Sequence, residues 1–346
     1  MWYPEIDFLV FRPLRQRKVF CTISGKLVVN EERKGECLMK KRILMIISLM
    51  LALSLCAVCA AEGADISGLK VTTPGGAPAL ALATMAVENP GQYTMVAADT
   101  IAAAFAGKEA DFIIAPLNAG AKLYKAGKSS YKLAAVVSWG NLFIAAQREV
   151  LKAEDLNGAE IVLFGENTIN ASVVLYALRE NGIEPGEVSY LAGASETQAK
   201  LLTDADAIVV TAEPALTAAK MKNDKISAIS VNELLQQASG MEGYTQAALF
   251  VKAETAESNP EAVAAFLARA EEACDQCTTD VAAVAEAAVT LEILPNAKVA
   301  IAAIPGCAIR FVKAVDAREL VEKTAQIDLN QFGGEVPADH FYYGAE

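Results

Sequence analysis

The chain has 346 residues, with 30 Lys and Arg against 42 Asp and Glu, a formal net charge of −12, and 53% hydrophobic residues. That acidic balance excludes nucleic acid as a partner, because binding it needs a basic surface. The length suffices for two α/β lobes with real cores. A single histidine, His340, leaves a Ser–His–Asp triad or a histidine metal site almost nothing to build on.

Residues 1–38 differ from the rest and carry a basic cluster at Arg12, Arg15, Arg17 and Lys18. Met39-Lys40-Lys41-Arg42 follows, and then an apolar run over 43–61. A basic start, an apolar centre and small residues at the end describe a secretory signal peptide cut near Ala61. The alternative is a membrane anchor, since the run is just long enough to span; its small-residue end and the polar stretch 62–65 favour the signal. Lipid attachment at Cys56 or Cys59 is the weaker reading, because Leu55 stands where a small residue is expected before Cys56. A signal belongs at an amino terminus, so residues 1–38 read as an upstream extension and Met39 as the start. The expected compartment is the periplasm. Residues 1–61 hold ten of the basic and five of the acidic side chains, so the remaining 285 residues carry a net −17.

The first predicted element is a strand–turn–helix unit over 68–83, GLKVTTPGGAPALALA. An apolar run suits a buried parallel strand, Thr73-Pro74-Gly75-Gly76 breaks it, and Pro78 suits a first helical turn. Such a unit aims free backbone N–H groups above the sheet. The turn is not a dinucleotide fingerprint, since Gly-x-Gly-x-x-Gly is absent. A strand over 93–97, a helix from Thr100 and a strand over 112–115 follow. Residues 116–120 read as a loop before a short helix at 121–124. Residues 131–137 read as a strand, and 142–146 as the strand that leaves this lobe.

The plan then repeats. Residues 158–178, GAEIVLFGENTINASVVLYAL, copy the first unit, and Gly165 follows Gly158 as Gly75 follows Gly68. Ser195 and Asp206 repeat the spacing of Thr100 and Asp111. Two such units predict two lobes of one architecture, not a solenoid. The lobes are expected at 62–148 plus 245–346 and at 149–244, with 244–251 as the return crossing and hence a two-segment hinge. Cys274-x-x-Cys277 lies in a helical run with no second pair or histidine for zinc, and with Cys307 it leaves an odd thiol, so these cysteines read as structural.

Ligands of open α/β sheets sit beyond the carboxyl ends of the strands, and clefts between domains are favoured. That nominates Thr73, Gly75, Gly76, Ala77, Asp99, Thr100, Asn118, Trp139 and Asn141 from lobe one. Lobe two supplies Glu166, Asn167, Thr168, Asn170, Ser195 and Glu213. Backbone N–H groups at Gly76-Ala77 and Asn167-Thr168 suit an anionic or strongly polar group. Asn118 and Asn141 suit a neutral polar edge, and Trp139 offers a stacking face. Each has a plainer role: Thr100 and Ser195 as helix caps, Asp99 on a helix dipole, Trp139 in packing, Glu213 capping the helix after Pro214. No Arg or Lys stands in these loops, which leans toward a neutral or zwitterionic organic molecule.

The order of GLKVTTPGGAPALALA, ADFIIAPLNAGAKLY, SWGNLFIAAQREVLKAEDLNGAEIVLFG, AEPALTAAK, SNPEAVAAFLARAEEAC and FGGEVPADHFYY carries a family likeness over 65–346. It resembles the substrate-binding proteins of bacterial ABC importers, in the group handling nitrate, sulfonates, taurine and thiamine-pyrimidine precursors. The resemblance implies an α/β, two-lobed type II periplasmic-binding fold closing on one small molecule. It also implies delivery to an inner-membrane ABC permease with its ATPase, a monomer, no cofactor, no metal and no catalysis. A membrane-held ligand sensor is one alternative. An enzyme related to pyrimidine-precursor synthases is another, although the His and Cys-rich motif such enzymes use has no counterpart here.

Overall fold

In a computed structural model of the chain, residues 63–345 are described; the expected signal peptide and upstream extension fall outside them. Among the described residues there are eleven strands: β1 Val71–Pro74, β2 Tyr93–Val96, β3 Phe112–Pro116, β4 Tyr131–Ser138, β5 Leu142–Gln147 and β6 Glu160–Phe164, then β7 Glu187–Leu191, β8 Ile208–Ala212, β9 Ile226–Ser230, β10 Ala247–Lys252 and β11 Ile309–Lys313. They form a six-stranded sheet, β11-β4-β10-β3-β1-β2, and a five-stranded sheet, β7-β6-β8-β5-β9.

The repeat in the sequence is a repeat in topology. Read as β2-β1-β3-β10-β4, the first sheet matches β7-β6-β8-β5-β9 position for position. In each, the first strand of the unit pairs parallel with its two neighbours. In each, the antiparallel member is the strand that enters directly after a crossing: β5 after the first, β10 after the second. Every lobe therefore takes one strand from the chain just as it arrives from the other lobe.

Two readings of the sequence are revised by this. Leu142–Gln147, expected to leave lobe one, is an inner strand of the second sheet between β8 and β9. The sheets thus change over at Trp139-Gly140-Asn141. The apolar pattern fixed a buried strand, but such a pattern does not say which sheet takes it. The loop expected at 116–120 is instead the start of a helix, Leu117–Lys125, with Pro116 at its N-cap. Leu117 and Gly120 are buried there, and Gly120 lets the helix sit directly on Phe250 of β10: a Cβ at that site would stand within 3 Å of the ring.

The rest of the chain covers lobe one. The buried face of helix Pro260–Thr279 packs on the 3₁₀ turn Ala77–Leu82 and on β11. Helix Ala314–Ile327 crosses from β4 toward helix Ile169–Glu180 of lobe two. No helix among the described residues is long and apolar enough to cross a membrane.

Candidate functional site

A cavity of about 350 Å³ opens between the sheets, within the range usual for small-molecule sites. Lobe one gives it the turn after β1 (Pro74, Gly75, Pro78) and the start of the helix after β3 (Asn118, Ala119). Lobe two gives it Thr168, Ile169 and Asn170, and the two crossings give Asn141 and Gln246. No ionisable side chain lines it.

Local sequence explains these positions. After β1, Gly76 takes φ 95° and ψ −157°, a conformation essentially confined to glycine. Pro78 then enters the 3₁₀ turn where its missing N–H costs nothing. After β6 the chain turns through Gly165 (φ 69°) and Asn167 (φ 58°). Thr168 caps the helix that follows: its hydroxyl donates to the Gly165 carbonyl at 2.6 Å and accepts from the Ala171 N–H at 3.5 Å. Two helices consequently begin at the cavity, at Leu117 and Ile169. The Leu117 N–H donates to the Gln246 carbonyl at 3.0 Å and the Ala171 N–H to Thr168, which leaves the N–H groups of Asn118, Ala119, Ile169 and Asn170 beside the lining.

The crossings meet in a carboxamide network. The Gln246 Nε2 donates to Asn141 Oδ1 at 3.0 Å and to Asn170 Oδ1 at 3.5 Å, while its Oε1 accepts from the Ser138 hydroxyl at 3.0 Å. Asn141 Nδ2 donates to the Glu213 carbonyl at 2.8 Å. Asn170 Oδ1 also accepts from the Tyr244 hydroxyl at 2.8 Å. With its oxygen held by two donors, Asn170 has its NH₂ left for the cavity. The acceptors of Asn141, Asn170 and Gln246 are occupied, which leaves as donors Asn170 Nδ2, Asn118 Nδ2 and the first-turn N–H groups that no cap takes, and as an acceptor the buried Asn118 Oδ1, which has no partner.

Of the residues nominated from sequence, Gly75, Asn118, Asn141, Thr168 and Asn170 line the cavity. Thr73 is buried behind it and donates to the Pro74 carbonyl at 3.2 Å. Gly76 and Ala77 shape the turn, and Asn167 reaches the rim through its carbonyl, which accepts from Gln331 Nε2 at 2.9 Å. Six others stand elsewhere. Thr100 donates to the Ala97 carbonyl at 2.8 Å ahead of helix Ile101–Gly107, and Ser195 sits inside helix Ala194–Thr203. Trp139 faces a separate recess: its Nε1 donates to the Arg310 carbonyl at 2.8 Å, and the Arg310 guanidinium stacks 4.5 Å from its ring. Glu213 is a cap, accepting from the Thr217 N–H at 3.1 Å and the Thr217 hydroxyl at 2.8 Å. Burial pushes its carboxyl pKa up by more than those bonds lower it. Asp99 and Glu166 are exposed outside the lining.

Gln246 and Gln331 line the cavity without having been nominated. Gln246 did leave a signal, a polar residue opening the apolar run of the return crossing. Gln331 left none, since only the return of the tail across lobe one brings it there.

The family model described as NMT1/THI5 like matches residues 132–281. No curated protein matches the sequence. Among solved structures, an ABC transporter protein of Parabacteroides distasonis superposes with a TM-score of 0.68 at 21% identity, covering 80% of this chain and 99% of that one. The periplasmic aliphatic sulphonate binding protein of Escherichia coli gives 0.63 at 16% identity, covering 80% and 92%. The alkanesulfonate-binding protein of Xanthomonas axonopodis gives 0.55 at 12% identity, covering 79% and 94%. The fold is the two-lobed, type II periplasmic-binding fold, and the likeness to importer binding proteins drawn from the sequence holds.

Proposed function

We propose that this chain is the extracytoplasmic solute-binding component of an ABC importer. It captures one small organic molecule between its lobes and hands it to a membrane permease driven by an ATPase. The observation that carries this reading is the cavity itself: it is lined by residues that follow β1, β3 and β6, strands of both sheets, and by Asn141 and Gln246 of the two crossings. A molecule bound there touches both lobes and so links its own capture to their closure.

The free amide and N–H groups, and the lack of any ionisable side chain in the lining, narrow the class of solute. An apolar wall (Pro74, Pro78, Ala98) beside amide and helix-end N–H groups suits a compact apolar body with an oxygen-rich head. Carboxylate, sulfonate and carbonyl oxygens all have that character, and two structural neighbours are described as sulphonate binders. The head is held by dipoles and amides, not by an Arg fork. No side chain in the lining offers a cation a counter-charge.

Thermal-shift and calorimetric titration of the purified protein with short alkanesulfonates and alkanecarboxylates, set against matched alkylamines, tests this. An oxygen-headed compound at about 100 times its Kd adds about 2.7 kcal/mol to folding stability. Asn170→Ala should weaken that binding by about tenfold, the worth of one good hydrogen bond. Binding of the amines with no response to any oxygen-headed compound would overturn the assignment of the head group.

A further inference from the structure

Apart from the crossings, the described lobes are joined by two direct hydrogen bonds, and both come from one short segment. Ser172 Oγ of lobe two donates to Asp328 Oδ2 at 2.7 Å. Gln331 Nε2 donates to the Asn167 carbonyl of lobe two at 2.9 Å. No salt bridge among the described residues runs between the lobes.

The segment that makes these bonds is firmly fixed on lobe one. Asp328 ends helix Ala314–Ile327 and caps the 3₁₀ turn Leu329–Phe332, its Oδ1 accepting from the Asn330 N–H at 3.1 Å. Phe332 is buried, and Lys125 Nζ donates to the Gly333 carbonyl at 2.7 Å and pairs with Glu335 at 3.0 Å. Thr324, one turn earlier, accepts from the Thr245 N–H of the return crossing at 3.2 Å. The receiving groups on lobe two are equally placed. Asn167 is held at positive φ by the turn after β6, and Ser172 stands in the first turn of the capped helix. Gln331 also lines the cavity, so this contact lies at its mouth.

We propose that Asp328 and Gln331 form a clasp that holds the two lobes together across the mouth of the cavity, and that the clasp sets how much of the chain is closed before any solute arrives. Pre-closure raises affinity, because a solute then meets an assembled site. The Asp328 bond involves a charged acceptor and is worth about tenfold in the closed-to-open ratio; the Gln331 bond is worth somewhat less. The clasp stands or falls whatever the solute is.

Small-angle scattering of the purified protein, unfolded and refolded to strip any carried ligand, tests this directly. Ser172→Ala and Gln331→Ala leave the Asp328 cap and the segment's anchors in place. Circular dichroism and a melting curve confirm that each variant is folded. The parent should scatter as the closed shape, and the Ser172→Ala, Gln331→Ala double variant should have a larger radius of gyration, with each single variant between them. Adding Asp328→Asn to Ser172→Ala should change nothing further, since the two groups act through one bond. A parent that is already open without ligand, or a double variant with unchanged scattering, overturns the proposal.

Discussion

The two lobes share one strand order and are filled in different ways. Lobe one is packed with aromatics: Phe105 meets Tyr131 and Phe250 edge-on at 5.5 and 5.3 Å, and Phe112 stacks on Phe266 at 3.9 Å. In lobe two, Phe143, Phe164, Tyr176 and Tyr190 are only partly buried. One of its cores is aliphatic, built from Val162, Leu201, Val209, Leu216 and Ile226. Topology therefore comes from where apolar strands fall between turns and crossings, while the mass of the core varies beneath it. Aromatic side chains bury 150–250 Å² each as a rule, which makes lobe one the more heavily packed of the two.

The sharpest way to break this contrast is in the cores. Phe250→Ala should cost about 3–5 kcal/mol, since it opens a cavity beneath both helix Leu117–Lys125 and Phe105. Phe164→Ala, partly exposed in lobe two, should cost about 1–2 kcal/mol. Urea unfolding followed by circular dichroism measures both, and equal losses would remove the distinction.

The turns after β1 and β6 give a second, smaller contrast. Gly76→Ala forces a Cβ into a glycine-only conformation and should cost about 1–3 kcal/mol, although nothing stands within 4 Å of that Cβ. Gly165→Ala meets the milder left-handed region, at about 1–2 kcal/mol, with its Cβ 3.0 Å from Thr168 Oγ1. Melting curves of the two variants order them. A Gly76→Ala protein as stable as the parent would show that the β1 turn tolerates another geometry.

The smallest effect is one of pH. Glu213 sits at the lobe junction, with its side chain against Gly306. Burial raises its folded-state pKa above the ordinary value of 4.5. The folded chain therefore holds this proton more tightly than the unfolded chain does. Below that ordinary value the group costs nothing, and stability falls as pH rises through the raised folded value. Glu213→Gln should melt slightly higher than the parent at about pH 7–8, and the difference should shrink toward about pH 4. A gap independent of pH would mean that lost hydrogen bonds, not burial of charge, govern the variant.

Much of this was legible in the residues. Gly75, Gly165 and the apolar runs before them announced both units, because a strand that stops at a glycine turn has few ways to continue. Asn118, Thr168 and Asn170 followed from the rule that ligands sit at strand ends. Three features did not follow, for physical reasons. An apolar strand such as Leu142–Gln147 satisfies either sheet. A Trp next to a crossing is equally suited to a ligand and to Arg310, and here Arg310 takes it. Gln331 reaches the cavity only through the packing of Phe332 and Lys125 more than 150 residues from Asn167, a contact no local pattern encodes.

Native mass spectrometry of the protein purified from its own cell envelope tests the central claim most directly. One small molecule should remain bound at a ratio of one per chain, leave on denaturation, and prove to carry an oxygen-rich head on a compact apolar body. Two molecules per chain, or a released cation, would contradict a single cavity between the lobes with no charged side chain in its lining.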